Sequence, residues 1–151
     1  MELFREFFEN RVLFAAVLAW LVAQGIKVLL EWLLHGKFSA ERIWGAGGMP
    51  SAHSATVCAL TVSMARFHGV SSPVFALSVV FAFVTIYDAM GVRRETGEHA
   101  RLLNKYLNRL KSEENGDAPE DIELKEFIGH TPMEVLAGVL LGILVSVLMP
   151  A

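Results

Sequence analysis

Long apolar segments separated by short polar stretches make up most of this chain. Three of them carry few charges and are long enough to cross a hydrocarbon core, which takes roughly 20 helical residues: Val12 to Leu34, Pro73 to Val92 and Pro132 to Met149. Ala52 to Ala65 is shorter and contains several Ser and Thr residues, so we predict that the other three helices enclose it. The pattern therefore predicts an integral membrane bundle of about four transmembrane helices.

Caps and breakers predict where these helices begin and end. Helix one is expected from about Arg11 to Leu34, and helix two from Ser51 to near Gly69. Helix three begins at Pro73, and the absence of proline up to Ala118 predicts that it extends into the aqueous phase as far as Ser112. No sustained alternation typical of strands is present. We therefore predict an all-α chain that forms a single domain over residues 1–151.

Composition narrows the class of protein further. The chain is 54% hydrophobic with a mean hydropathy of +0.46, well to the apolar side of soluble domains. A net charge of −3 gives no reason to expect nucleic acid as a partner. The single cysteine, Cys58, excludes an internal disulfide framework and a multi-cysteine metal site. Met1 to Arg11 lacks a basic start and a small-residue cleavage site, so we expect an interfacial lead-in rather than a signal peptide.

Two polar stretches at predicted helix starts carry histidines. The first, Gly47 to Ala55, contains paired glycines, a Pro-Ser step and His53; the second, Gly129 to Glu134, contains His130. Backbone N–H groups at a helix start bind anions, and an imidazole titrates near neutral pH. Two histidines at two helix starts, with arginines between them, predict phosphate chemistry.

Both helix starts also have a purely structural interpretation. Ser51 is a typical N-cap, and Thr131, Pro132 and Glu134 make a complete capping box. His130 has no such structural role. Glu134 lies one turn beyond it, where its carboxylate can accept a hydrogen bond from one ring nitrogen and leave the other free to attack phosphorus.

Helix one carries Gln24, Lys27 and Glu31 on one face. Charges inside a membrane are costly and normally point into a bundle or cavity. Two interpretations stay open: Lys27 and Glu31 pair near the interface, or Lys27 reaches a phosphate while Glu31 or Gln24 positions it.

Asp88 lies near the end of an otherwise uncharged segment, and Arg93 and Arg94 follow within two turns. One interpretation is a carboxylate at the interface with arginines that snorkel to water. The other is that one of the arginines binds phosphate oxygens with its guanidinium group, while Asp88 positions the residues that bind phosphate.

Taken together, these residues resemble the divergent branch of the type 2 phosphatidic acid phosphatase superfamily, whose relatives include the vanadium haloperoxidases. The likeness covers nearly the whole chain from Gln24 onward. Four stretches carry it: Gln24 to Lys27, Gly47 to Ala55, Tyr87 to Arg94 and Gly129 to Val135.

The resemblance implies a lipid phosphatase without metal or cofactor. It implies that His53 protonates the leaving oxygen, that His130 attacks phosphorus, and that Glu134 replaces the family's orienting aspartate. At the two positions where the family's motifs have arginine, this chain has Leu34 and Leu124. The groups left to bind phosphate are Lys27, Gly48, Ser51, Arg42, Arg93 and Arg94.

The substrates that the resemblance implies are membrane lipids with a phosphate monoester or diphosphate, such as phosphatidylglycerophosphate, phosphatidate or undecaprenyl diphosphate. A lipid phosphotransferase and a non-catalytic protein that binds phospholipids or anions are the alternatives. The sequence leaves a homo-oligomer open.

Basic residues predict the orientation. The two histidine loops fall on one side of the bundle, and the termini and the turn at 66–73 on the other. Apart from candidate site residues, the histidine side has six basic residues and the opposite side three: Lys37, Arg101, Lys105, Arg109, Lys111 and Lys125 against Arg5, Arg11 and Arg66. The positive-inside rule then places the histidine face in the cytoplasm, in what we expect to be a bacterial plasma membrane.

Overall fold

The computed structural model describes residues 5, 6, 9–36, 48–113, 124 and 129–150, except the side chains of 35, 92–94 and 110–113. Every element in this part of the chain is an α-helix, which confirms the all-α prediction. The helices are α1 (Arg11–His35), α2 (Ala52–His68), α3 (Pro73–Met90), α4 (Val92–Glu113) and α5 (Pro132–Leu148). The expected lead-in before Arg11 lies mostly outside the described residues.

Side-chain caps set the starts of three helices. Asn10 caps α1 by accepting from the backbone N–H of Leu13 at 3.0 Å, and Ser51 caps α2. Thr131 caps α5 within a complete capping box, with proline at the first helical position. The helix starts expected at Ser51 and Pro132 are therefore confirmed, because short-range hydrogen bonds determine them.

The prediction of one uninterrupted helix from Pro73 to Ser112 is wrong at Gly91. The chain stays helical to Glu113, but Gly91 (φ −96°, ψ −87°) divides it into α3 and α4. Glycine weakens a helix interior because it has the most backbone entropy to lose. Carbonyl groups in the last turn of α3 need partners outside the helix. The carbonyl of Ala89 finds one in the backbone N–H of His130, at 3.0 Å.

Helix α2 lies at the centre and packs against α5, α1 and α3, as its short, Ser- and Thr-containing sequence predicted. Hydrogen bonds at both ends show that α2 and α5 run parallel. At one end the backbone N–H of Ser51 donates to the carbonyl of Glu134 at 2.9 Å. At the other end the Arg66 guanidinium donates to the carbonyl of Ser146.

The remaining apolar helices run the other way. The Arg11 guanidinium donates to the carbonyl of Pro150 at 3.2 Å, so α1 begins where α5 ends. The bond between Ala89 and His130 likewise places the end of α3 beside the start of α5. The end of α1, the start of α2, the end of α3 and the start of α5 thus lie at one end of the bundle, here named the histidine end.

Small side chains fill the interior, and large apolar ones face outward. Most buried hydrophobic residues are alanines, among them Ala15, Ala19, Ala23, Ala55 and Ala59, each fully buried. Exposed large apolar residues occur on α1, α3 and α5, including Phe14, Trp32, Phe81, Phe83 and Leu140. Close packing through small residues, with bulky residues outside, is typical of helices surrounded by lipid.

Two helical stretches are long and apolar enough to cross a membrane by length and composition: Arg11–Leu34, and Pro73–Arg109, which runs across Gly91 from α3 into α4. Helix α5 is apolar but shorter. At 17 residues each, α2 and α5 lie at the short end of the range of about 17–25 residues for a transmembrane helix. Two long candidate spans are therefore present, and the four-span arrangement stays a prediction.

Candidate active site

The two motif histidines lie side by side at the histidine end. His53 is in the first turn of α2, and His130 immediately precedes the N-cap of α5. Their ring centroids are 5.9 Å apart, with an angle of 63° between the ring planes. The parallel packing of α2 and α5, held by the bond from Ser51 to Glu134, produces this proximity. At this separation both imidazoles can reach a single tetrahedral phosphoryl group.

One ring nitrogen of His130 is held by Glu134. The distance from Nδ1 of His130 to Oε2 of Glu134 is 2.8 Å. An ionised carboxylate only accepts hydrogen bonds, so Nδ1 is the donor in this pair, and in a neutral ring Nε2 then has the lone pair. His130 is only 3% exposed, and its Nε2 has no hydrogen-bond partner among the described residues. A buried acceptor without a partner costs free energy, which a bound ligand would recover.

Glu134 orients His130 and caps α5 through the same oxygen. Its Oε2 also accepts from the backbone N–H of Thr131 at 3.3 Å, and the hydroxyl of Thr131 accepts from the N–H of Glu134 at 3.4 Å. The capping role and the orienting role, which the sequence presents separately, are therefore compatible. A capped, rigid first turn is also what keeps the carboxylate at the imidazole.

The backbone around each histidine contains a glycine in a conformation that other residues rarely adopt. Gly129, directly before His130, has a φ of 116°, and Gly48 has a φ of 81°. A side chain at either position would be strained. Together with the bond from His130 to Ala89, Gly129 fixes the direction in which the chain enters α5.

Ser51 is fully buried and bonded within its own helix start. Its Oγ accepts from the backbone N–H of Ser54 at 3.3 Å and from the hydroxyl of Ser54 at 3.0 Å. Since its lone pairs are used, what Ser51 can offer an anion is its own hydroxyl hydrogen. Sequence reasoning did not single out Ser54, although its position three residues after the cap is the one that an N-cap side chain bonds.

Lys27 continues the buried face of α1. It follows Ala15, Ala19 and Ala23 at intervals of four and is itself 8% exposed. Ala19 and Ala23 pack with Ala52, Ala55 and Ala59 of α2. Because α1 and α2 are antiparallel, the step from Ala23 to Lys27 leads toward the histidine end. This position agrees with a cation that serves the site.

The structure describes the other predicted site residues less completely. Gln24 and Glu31 are half-buried on α1, and Asp88 is half-buried in the last turn of α3. Arg93 and Arg94 lie in the first turn of α4, but their side chains are not described. Arg42 lies outside the described residues. Among the residues that are described, no group of three or more His, Cys, Asp or Glu side chains is arranged to hold a metal ion.

Two glycines that sequence reasoning missed let α5 lie directly on α2. A Cβ at Gly138 would overlap the carbonyl oxygen of Ser51 and lie 3.0 Å from Cβ of Ser54. A Cβ at Gly142 would overlap the carbonyl oxygen of Ala55. The four-residue spacing of small residues on α5 is the signal that was available. Gly138 therefore sets how closely the two histidine motifs approach each other.

We expect Gly138→Ala to destabilise the bundle by about 1–3 kcal/mol, because backbone atoms must move to admit the methyl group. The shift would separate Ser51 and His53 from His130, so any phosphate release that depends on both histidines should fall as well. Thermal unfolding in detergent and phosphate release measure the two effects.

Matched substitutions separate these effects. Gly142→Ala introduces the same overlap deeper in the bundle and should cost similar stability with less loss of turnover. Gly25→Ala, where an added Cβ meets nothing within 4 Å, should be neutral or stabilising. A Gly138→Ala protein with unchanged stability would contradict the close approach of α5 to α2.

Comparison with known proteins identifies the family. The model of the divergent PAP2 family matches residues 8–145. The uncharacterized membrane protein YuiD of Bacillus subtilis (strain 168) is 40% identical over 153 residues, covering 95% of this chain and 96% of the relative. No solved structure gives a significant match. The chain therefore belongs to the divergent PAP2 family, as the four sequence stretches predicted.

Proposed function

We propose that this protein is a membrane lipid phosphatase that hydrolyses a phosphate monoester or diphosphate through a phosphohistidine intermediate. The observation that carries the proposal is the state of His130. Its Nδ1 is bonded to Glu134 at 2.8 Å, while its buried Nε2 has no hydrogen-bond partner within the described part of the chain. A nucleophile oriented by a carboxylate, with a second titratable group within reach, is the usual arrangement for covalent catalysis.

In the first step Nε2 of His130 attacks phosphorus, a P–N bond forms, and the bond from phosphorus to the leaving oxygen breaks. His53 gives a proton to that oxygen, so the lipid departs as a neutral alcohol, or as a monophosphate when the substrate is a diphosphate. The His130 ring becomes positively charged when it bonds phosphorus. The Glu134 carboxylate at Nδ1 stabilises this charge.

In the second step water attacks phosphorus while neutral His53 takes a proton from it. The P–N bond breaks, its electron pair returns to Nε2, and inorganic phosphate leaves. His53 thus acts first as the acid and then as the base, which requires it to stand beside His130, as the 5.9 Å separation allows.

Positive groups around the phosphoryl oxygens would stabilise the transition state. The buried Lys27, the N–H groups at the start of α2 and the hydroxyl hydrogen of Ser51 are the candidates on described residues. The backbone conformation of Gly48 keeps the chain before α2 close to the phosphoryl oxygens. Arg42, Arg93 and Arg94 are proposed to replace the missing motif arginines.

A lipid substrate fits the position of the site at the ends of helices whose outer faces are apolar. The exposed apolar residues of α1 and α3 lead toward the histidine end, so an acyl or prenyl tail can stay in lipid while the phosphate reaches His130. The candidate substrates are phosphatidylglycerophosphate, phosphatidate and undecaprenyl diphosphate. A cytoplasmic site in a bacterial plasma membrane, as the basic residues predict, favours phosphatidylglycerophosphate.

Phosphate release by detergent-purified protein from these three lipids tests the proposal, with and without EDTA and beside His130→Ala. Release that is insensitive to EDTA and absent from the variant supports it. Release lost with EDTA would indicate metal chemistry and contradict the mechanism. Binding without release would favour the non-catalytic alternative, and transfer to an added alcohol in place of release would favour the phosphotransferase.

We expect Glu134→Gln to lower kcat by about 10–100-fold, because a hydrogen bond to a charged group contributes about 1.5–3 kcal/mol. The amide keeps an oxygen for the cap but loses the charge that balances the His130 cation. Thr131→Ala is the matched control, since it weakens the same cap at a cost of about 1 kcal/mol in stability and spares the carboxylate. Full activity in Glu134→Gln would show that Glu134 only caps α5.

A further inference from the structure

We propose that α4 (Val92–Glu113) lies on the membrane surface beside the histidine end and binds anionic lipid headgroups. This assignment does not depend on the proposed chemistry, because it concerns the part of α4 beyond Arg93 and Arg94. It rests on where α4 begins, on which of its faces the chain already covers, and on what its remaining faces expose.

Helix α4 begins where the apolar helix α3 ends, at the histidine end of the bundle. It follows α3 after the break at Gly91, and the end of α3 is held to His130 through Ala89. Its main packing contact within the described structure is with α3, so it leaves the bundle of α1, α2, α3 and α5. A helix that starts at this level and leaves the bundle enters the headgroup region.

One side of α4 is covered by the chain itself. Gly97, Ala100 and Asn104 are buried and share this side. The Asn104 amide nitrogen donates to the carbonyl of Leu124 at 2.8 Å, and the N–H of Leu124 donates to the Asn104 oxygen at 3.0 Å. These two bonds hold Leu124 against α4. The opposite side of α4 is left for a partner.

That opposite side presents large apolar residues. Leu102, Leu103 and Tyr106 are 59%, 53% and 68% exposed, and they fall within an arc of about 100° on the helix. His99 is exposed on the same side. Tyrosine and histidine rings combine an apolar body with a polar tip, which suits the level of the headgroups. Water would be a poor environment for this face.

Basic residues border the apolar face. Arg101, Lys105 and Arg109 are all exposed and follow one another at intervals of four along one edge. The helix holds six of the 13 Lys and Arg residues but only three of the 16 Asp and Glu residues, in a chain with a net charge of −3. Beyond the exposed Glu95 and Glu98 of its first two turns, α4 has an apolar face bordered by a row of cations, which fits a surface of anionic lipids.

A second copy of the chain fits these observations less well. A coiled-coil seam on α4 would follow Ala100, Leu103, Leu107 and Leu110. Ala100 is already buried, and the neighbouring Asn104 is bonded to Leu124. The seam is therefore partly occupied, whereas the face around Leu102 and Tyr106 is open.

Spin labels on the full chain in lipid nanodiscs test the proposal. In a Cys58→Ala background, Leu103→Cys and Tyr106→Cys place labels on the apolar face, and Asn108→Cys places one on a different, exposed face. Nanodiscs contain phosphatidylcholine with phosphatidylglycerol. We expect labels at 103 and 106 to be at least about threefold more accessible to oxygen than to a water-soluble nickel chelate, and the label at 108 to show the reverse.

Every other pattern overturns the proposal. Labels at 103 and 106 that are inaccessible to both reagents would indicate a second copy or another protein surface. Labels equally accessible to nickel at all three positions would place α4 in water. A variant with Arg101, Lys105 and Arg109 changed to Gln tests the headgroups: its labels at 103 and 106 should gain nickel accessibility by about twofold or more. If the labels at 103 and 106 keep the same oxygen and nickel accessibility after these substitutions, or after phosphatidylglycerol is removed, the result contradicts anionic lipid binding.

Discussion

Replacing His130 by alanine is expected to abolish phosphate release from lipid phosphates, with kcat/KM falling by at least about 10³-fold. The variant removes the nitrogen that is proposed to form the covalent bond to phosphorus. His53 is the nearest imidazole, but its ring centroid stands 5.9 Å from that of His130. Phosphate release under single-turnover conditions measures the loss.

Two controls accompany this prediction. His68→Ala changes an exposed histidine at the far end of α2 and should leave phosphate release unchanged. Thermal unfolding of His130→Ala shows whether the loss of its bond to Glu134 has unfolded the protein. A folded His130→Ala protein that still releases phosphate at the wild-type rate would exclude His130 as the nucleophile.

Replacing His53 by alanine is expected to act differently on substrates with poor and good leaving groups. For a lipid phosphate monoester, whose alkoxide needs a proton, the rate should fall by about 10²–10⁴-fold. For para-nitrophenyl phosphate the leaving phenolate needs no proton, so bond breaking should proceed almost as in the wild type. The second step still lacks its base, and the phosphoenzyme should therefore accumulate.

A stopped-flow measurement of nitrophenolate checks this directly. His53→Ala should give a burst close to one equivalent of nitrophenolate per active site, followed by slow turnover. If instead the burst is slowed as strongly as the cleavage of phosphatidate, His53 does not act as the general acid, and its place beside His130 has another purpose.

Local sequence signals predicted the helix starts well. Ser51 and Thr131 cap α2 and α5 because their bonds span three residues, a range that a sequence pattern reveals. The histidines follow from the same local motifs. Their mutual distance does not, since it depends on the parallel packing of α2 and α5 through Gly138 and Gly142.

Features that depend on tertiary contacts were harder to predict from the sequence. A single glycine within a helical pattern is often tolerated, so the break at Gly91 could not be read from sequence. The break goes together with the long-range bond from His130 to Ala89. For Glu134, the sequence offered a cap and an orienting carboxylate as separate roles, and only atomic positions show that one oxygen serves both.

The central claim is that His130 forms a covalent bond to phosphorus, and trapping the phosphoenzyme tests it most directly. Wild type, His53→Ala and His130→Ala would be mixed with radiolabelled phosphatidate, phosphatidylglycerophosphate or undecaprenyl diphosphate and quenched rapidly in alkali. We predict label in the wild type on the peptide that contains His130, stable in alkali and lost in mild acid. The same label should form more slowly in His53→Ala, because the leaving oxygen lacks its acid, and should be absent from His130→Ala. Phosphate release from wild type without any labelled protein, or label that persists in His130→Ala, would contradict the account.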